Sequence, residues 1–138
     1  MAKILIIEDH PDTRELLRLM LEMEGYEIAE ARAGEEGVRK AKEFAPDLIL
    51  MDISLAGEIN GWEATRRLRD DPEFDDTIIV ALTAHAMKDD RETTFAYGCD
   101  EYWTKPILDF PQFQRAIGEM IARGRQSLSG NQQKSENA

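Results

Sequence analysis

Residues 48–52 read Leu48-Ile49-Leu50-Met51-Asp52: four apolar side chains in unbroken succession, then a carboxylate. An apolar run without alternation reads as a strand buried on both faces, as in a parallel sheet. Working outward, Ile4-Leu5-Ile6-Ile7 has the same character and ends in Glu8-Asp9. Ile78-Ile79-Val80-Ala81-Leu82 ends in Thr83, and a short strand over 100–104 is followed by Lys105-Pro106. In an open parallel sheet, ligands and chemistry gather beyond the carboxyl ends of the strands. Three carboxylates, a hydroxyl and an ammonium are therefore expected on one edge.

Helical signals alternate with these runs. Pro11 suits a first helical turn, and a helix over 11–24 places Leu16, Leu17, Met20 and Leu21 on one face, with Gly25 at its end. A strand from Tyr26 to Glu30 leads to a helix over 35–44 that turns Val38, Ala41 and Ala45 inward, and Pro46 stops it. The strand over 47–51 opens into a loop holding Gly57 and Gly61. Further helices are expected over 61–70, closed by Asp71-Pro72, over 86–97, ending before Gly98, and over 109–124, with Phe113, Ile117, Met120 and Ile121 as the apolar stripe. Five strand–helix units with short connections imply a right-handed, doubly wound α/β sandwich. Residues 1–124 read as one domain, and 125–138 as a polar, disordered tail.

Composition narrows the function. With 138 residues the chain has room for one domain and a real core. The formal net charge is −11, which repels DNA and anionic membrane surfaces. The densest basic stretch, Arg66-Arg67-Leu68-Arg69, lies beside Glu63, Asp70 and Asp71 and reads as a solvated helix face. No apolar stretch approaches the ~20 residues that span a bilayer. No secretory signal pattern precedes the first strand, so a cytoplasmic location is expected. Cys99 is the only cysteine, which excludes an internal disulfide and reads as a small buried hydrophobe.

The expected cluster of Glu8, Asp9 and Asp52 is self-repelling unless a cation or a proton intervenes. Hard oxygen ligands suit Mg²⁺, while two histidines and one cysteine disfavour zinc. A cation beside Asp52 would neutralise an approaching phosphoryl group; Lys105 and Thr83 could hold its other oxygens. Carboxylates accept phosphoryl groups to give an acyl phosphate. Each piece alone is ordinary: acidic strand ends are mostly solvated, and a strand-end Thr is mostly a local cap. Their ordering at four strand ends is what points to phosphoryl transfer onto an aspartate.

The combination Glu8-Asp9, Asp52, Thr83-Ala84 and Lys105-Pro106 resembles the receiver domain of two-component response regulators, of the stand-alone, CheY-like kind, over roughly residues 3–122. The resemblance implies a flavodoxin-like five-stranded parallel sheet of order 2-1-3-4-5 with five helices. It makes Asp52 the phosphoacceptor, and Glu8, Asp9, Asp52 and the Ser54 carbonyl the Mg²⁺ site. Lys105 would pair with the phosphoryl group and be aimed by a cis bond to Pro106. Thr83, with Ala84 beside it, would be the switch hydroxyl, and Tyr102 the switch aromatic. Ser54 and His85 would tune the lifetime of the phosphorylated state. The implied partners are a histidine kinase or histidine phosphotransfer protein and a downstream protein target, with no nucleic acid and no membrane. The exposed face of the first helix (Arg14, Arg18, Glu22) and the loop after Lys105 would meet the kinase. A homodimer through helices four and five would use cross-dimer pairs of Arg91 with Asp100 or Glu101, and Arg115.

Two features depart from the family pattern. Ala56 stands where a proline commonly follows the acceptor, and the loop from Ser54 to Gly61 is one residue longer, which would alter loop mobility or partner contacts. As a signalling module the chain is expected to be no enzyme beyond its own phosphorylation and dephosphorylation. A relay shuttle that passes the phosphoryl group onward is equally compatible with the sequence. A phosphorylation-independent interaction module is less favoured, because the expected site residues are all present. A small-molecule aspartyl-phosphate phosphatase of the haloacid dehalogenase type would need a second Asp two residues past its nucleophile, after the first strand. Glu8-Asp9-His10-Pro11 lacks that spacing.

Overall fold

Each apolar run becomes a parallel strand: β1 (Lys3–Ile7), β2 (Glu27–Ala31), β3 (Leu48–Asp52), β4 (Ile78–Thr83) and β5 (Glu101–Thr104). They form one sheet of order β2-β1-β3-β4-β5. The structure, a computed structural model, describes residues 1–84 and 88–125. Five helices connect and follow the strands: α1 (Pro11–Glu22), α2 (Gly34–Phe44), α3 (Gly61–Arg69), α4 (Lys88–Ala96) and α5 (Phe110–Arg123). Expected elements and strand order are thus those observed, with ends shifted by a residue or two.

Period-two alternation divides the sheet's side chains between two cores. Leu5, Ile7, Ile49, Met51, Ile79 and Ala81 face one layer, where α2 and α3 supply Ala41, Ala64 and Leu68. Ile4, Ile6, Leu48, Leu50, Val80 and Leu82 face the other, with Leu17, Met20 and Leu21 of α1 and Phe113, Ile117 and Met120 of α5. Burial on both faces explains the unbroken apolar runs. Trp103 meets the Phe113 ring edge-on at 5.0 Å, fastening β5 to α5. Trp62 stacks on Tyr97 and donates from Nε1 to Thr94 Oγ1 at 3.0 Å, tying α3 to α4.

Four side chains lie otherwise than expected, and one short element is new. Ala45 is exposed and left-handed, with φ 52°, closing α2 after the helix; Gly37 takes the buried place, where a Cβ would strike Ile7. Leu16 is left 44% exposed, since α1 buries only the narrower stripe of Leu17, Met20 and Leu21. A 3₁₀ turn, Pro72–Phe74, buries Phe74 between α3 and β4. Arg69 leaves the solvated basic face: it reaches inward to Asp100, while Arg66 and Arg67 stay outside with Glu63. Asp100 also holds Arg125, so it is committed within the chain and not open to the Arg91 pairing. Apart from Arg125, the expected tail lies outside the described residues.

Candidate functional site

Strand order decides where the site lies. From β1 the chain first turns to one side, to β2, and later returns to the other, to β3, so the crevice opens between β1 and β3. Glu8 follows β1 directly and Asp52 ends β3, one on each lip. Asp9 completes a trio whose carboxylate oxygens lie within 4.8 Å of one another. Lys105, just past β5, reaches across: its Nζ is 3.0 Å from Glu8 Oε1 and 3.3 Å from Asp52 Oδ1. The bond from Lys105 to Pro106 is cis, and the Lys105 N–H donates to the Thr83 carbonyl at 2.7 Å.

These residues surround a cleft of about 430 Å³ that also takes in Ser54, Ala84 and Pro106 and runs on over Leu17 and Met20 of α1. Ser54 donates its N–H to Asp52 Oδ1 at 3.0 Å. Thr83 is buried at the end of β4, one residue past Leu82, the register partner of Asp52. Tyr102 lies half-buried against the core beside α2 and α3, with Ala81 as its partner on β4. His85 lies outside the described residues.

Among the described residues, three carboxylates face a single ammonium, and the electrostatics show the imbalance. Burial, then contact with Asp52, pushes the Glu8 carboxyl up to about 7 against the pull of Lys105. Burial works against the Lys105 charge, but Glu8 and Asp52 outweigh it and hold the ammonium above its ordinary value. Burial also raises Asp9, yet the Ala56 N–H and the neighbouring carboxyls prevail and hold it below its ordinary value. An oxygen-only donor set with unbalanced negative charge fits a hard divalent cation.

Several contributors escape a reading of the sequence. Arg14 is mostly buried: its Nη1 donates to the Glu8 carbonyl at 2.9 Å, so it belongs to the site's frame, leaving Arg18 and Glu22 to the outer face. His10 caps α1, accepting from Thr13 N–H, and its own N–H donates to Glu8 Oε2 at 3.2 Å. The Ala56 N–H donates to Asp9 Oδ2 at 3.0 Å. His10 as a cap before Pro11 was the one visible signal; Arg14 turns back on Glu8 only through the geometry of the turn into α1, and Ala56 reaches Asp9 across 47 residues.

Gly61 explains how α3 begins so close to Asp52. A Cβ there would stand 2.2 Å from the Asp52 carbonyl oxygen and 2.7 Å from Ile53 Cα, both backbone atoms. Gly61→Ala is therefore expected to destabilise the fold by about 1–3 kcal/mol, the usual cost of overpacking. Urea unfolding checks this; a midpoint equal to wild type would mean the loop yields freely.

Residues 4–117 match the family described as the response regulator receiver domain. The polar-differentiation response regulator DivK of Brucella ovis is 42% identical over 114 residues, which cover 83% of this chain and 91% of that protein. The receiver domain of a sensor histidine kinase from Pseudomonas aeruginosa PAO1, solved with magnesium ion coordinated in the active site cleft, is 33% identical with a TM-score of 0.80, covering 88% of this chain and 98% of that one. A chemotaxis response regulator of Vibrio cholerae is 25% identical with a TM-score of 0.79, over 88% and 98% of the two chains. Among the described residues, no helix is long and apolar enough to cross a membrane.

Proposed function

The chain belongs to the response regulator receiver domain family, a signalling module of two-component systems, and from that premise we propose that Asp52 takes a phosphoryl group from the phosphohistidine of a kinase or phosphotransfer protein. The observation that carries this is the setting of Asp52: a carboxylate only 2% exposed, at the lip of a cleft, 3.3 Å from Lys105 and clustered with Glu8 and Asp9. Residues 1–124 are the receiver unit in this reading.

Glu8, Asp9, Asp52 and the Ser54 carbonyl would hold Mg²⁺, which when bound offsets the charge of the incoming phosphoryl group. An Asp52 carboxylate oxygen attacks phosphorus in line, the P–N bond breaks, and the imidazole leaves with the electron pair and later takes a proton. Lys105 stabilises the transferred oxygens, with its ammonium already held at Asp52 Oδ1. The Ser54 N–H orients that carboxylate. Thr83 and Ala84 at the end of β4, with Tyr102 on the next strand, are the residues through which the phosphorylated state would bias a two-state equilibrium. A hundredfold change in ratio needs only ~2.7 kcal/mol of differential stabilisation. The altered surface would then meet a downstream protein in the cytoplasm.

The test is incubation with Mg²⁺ and acetyl phosphate, read as intact mass. Wild type is expected to gain one phosphoryl group; Asp52→Asn, and wild type in EDTA, are expected to gain none. An unmodified wild type that still binds Mg²⁺, or a labelled Asp52→Asn, would overturn the proposal.

A further inference from the structure

The loop between β3 and α3 is clamped at two points, and both clamps are backbone N–H groups on carboxylates from elsewhere in the fold. Near its start, Ala56 N–H donates to Asp9 Oδ2 at 3.0 Å. Near its end, Ile59 N–H donates to Glu35 Oε1 at 2.9 Å. Glu35 sits in the first turn of α2, which abuts this loop: a Cβ on the adjacent Gly34 would come within 2.6 Å of the Ile59 side chain and 3.2 Å of its carbonyl oxygen. Between the clamps the chain turns at Gly57 with φ +114°, a conformation that L side chains rarely adopt. The path from Glu35 to Asp9 is therefore short, and Ile59 is itself buried.

We propose that Glu35 is a positioning residue for the cation site: by anchoring Ile59 it holds the loop that presents the Ala56 N–H to Asp9, and so fixes the orientation of that carboxylate. This rests on the reading that Glu8, Asp9 and Asp52 hold a divalent cation. Asp9 is the member of the trio that most needs outside support, because Glu8 and Asp52 are both buried and both held by Lys105, whereas Asp9 is half-exposed at the head of the loop before α1. Ala56 thus holds Asp9 by Oδ2, while Asp9 offers a carboxylate oxygen within 4.8 Å of those of Glu8 and Asp52. A hydrogen bond of this kind behind a metal ligand typically governs affinity by 10–100-fold.

Mg²⁺ alone is the probe, with dissociation constants from calorimetric titration of the full chain. Glu35→Ala is expected to weaken binding about tenfold, while Glu35→Gln, which keeps an oxygen for Ile59 N–H, retains most of the wild-type affinity. Glu36→Ala, which removes the same charge one residue away where the carboxylate caps Arg32 N–H, is expected to bind as wild type does. The metal-free thermal midpoints establish that each variant is folded. Equal weakening in Glu35→Ala and Glu35→Gln would assign the effect to charge and overturn the proposal. So would wild-type affinity in Glu35→Ala. A wild type that binds no Mg²⁺ would overturn the cation reading itself and this inference with it.

Discussion

Replacing Asp100 by alanine is expected to remove about 3–5 kcal/mol of folding stability, the usual cost of stripping one partner from a buried charge network. Asp100 is 1% exposed and accepts from three directions: Arg69 Nη2 at 2.5 Å, Arg125 Nε at 2.9 Å and the Ile79 N–H at 2.9 Å. Arg69, its side chain 11% exposed, carries on to the carbonyls of Gly98 and Phe74, while Arg125 reaches the Asp75 carbonyl. One carboxylate thus ties together α3, the turn before β4, β4 itself, the start of β5 and the residues beyond α5. Without it two guanidinium groups face each other after losing their shared, buried counter-charge. Domains of this size are stable by only about 5–15 kcal/mol in total, so the variant should unfold at far lower denaturant. Asp100→Asn keeps an acceptor oxygen and should recover part of the loss. Urea unfolding of both variants measures this; a loss below about 1 kcal/mol would place the network among weak, solvated pairs.

The second large effect is a dependence on pH that belongs to Glu8. Its folded carboxyl is raised from 4.5 to about 7. A raised acid binds its proton more tightly in the folded state, so its contribution is fully present below about pH 4.5 and is lost as pH rises through about 7. At ~1.4 kcal/mol per unit the full loss is about 3 kcal/mol. Asp9, whose carboxyl is lowered, acts oppositely and in a lower window: its contribution is present above its ordinary 3.8 and lost as pH falls below that. The two are therefore separable. In EDTA, the stability difference between Glu8→Gln and wild type should grow in favour of the variant by about 2–3 kcal/mol from about pH 5 to about pH 8. Added Mg²⁺ should stabilise wild type strongly at the higher pH and little at the lower, because metal and proton compete for the same carboxylate. A pH-independent difference would mean that Glu8 titrates as an ordinary acid.

What the sequence made legible follows from short-range physics. Two-sided burial makes β1, β3 and β4 unbroken apolar runs, and the residue after each run must lie at the sheet's carboxyl edge; hence Glu8, Asp52 and Thr83 could be placed by counting. Lys105 could be placed the same way, though on a weaker signal, because β5 is short and only half-buried. Contacts that depend on how layers come together left no local trace. Asp9 meets Ala56 across 47 residues, Glu35 meets Ile59 across 24, and Arg69 meets Asp100 across 31. Arg69 illustrates the limit: within Arg66-Arg67-Leu68-Arg69 it is indistinguishable by composition, and only the helix's rotation against β5 sends it inward. Ala45 illustrates another, since a left-handed C-cap is ordinarily glycine and nothing adjacent marks an alanine for it.

Asp52 is proposed as the residue that carries the phosphoryl group. The direct measurement is borohydride reduction of protein treated with Mg²⁺ and acetyl phosphate, followed by peptide mass mapping, since an aspartyl phosphate is reduced to homoserine in place. Conversion at position 52 alone is the predicted result. Conversion at Glu8 or Asp9 instead, or none in a protein that binds Mg²⁺, would contradict it.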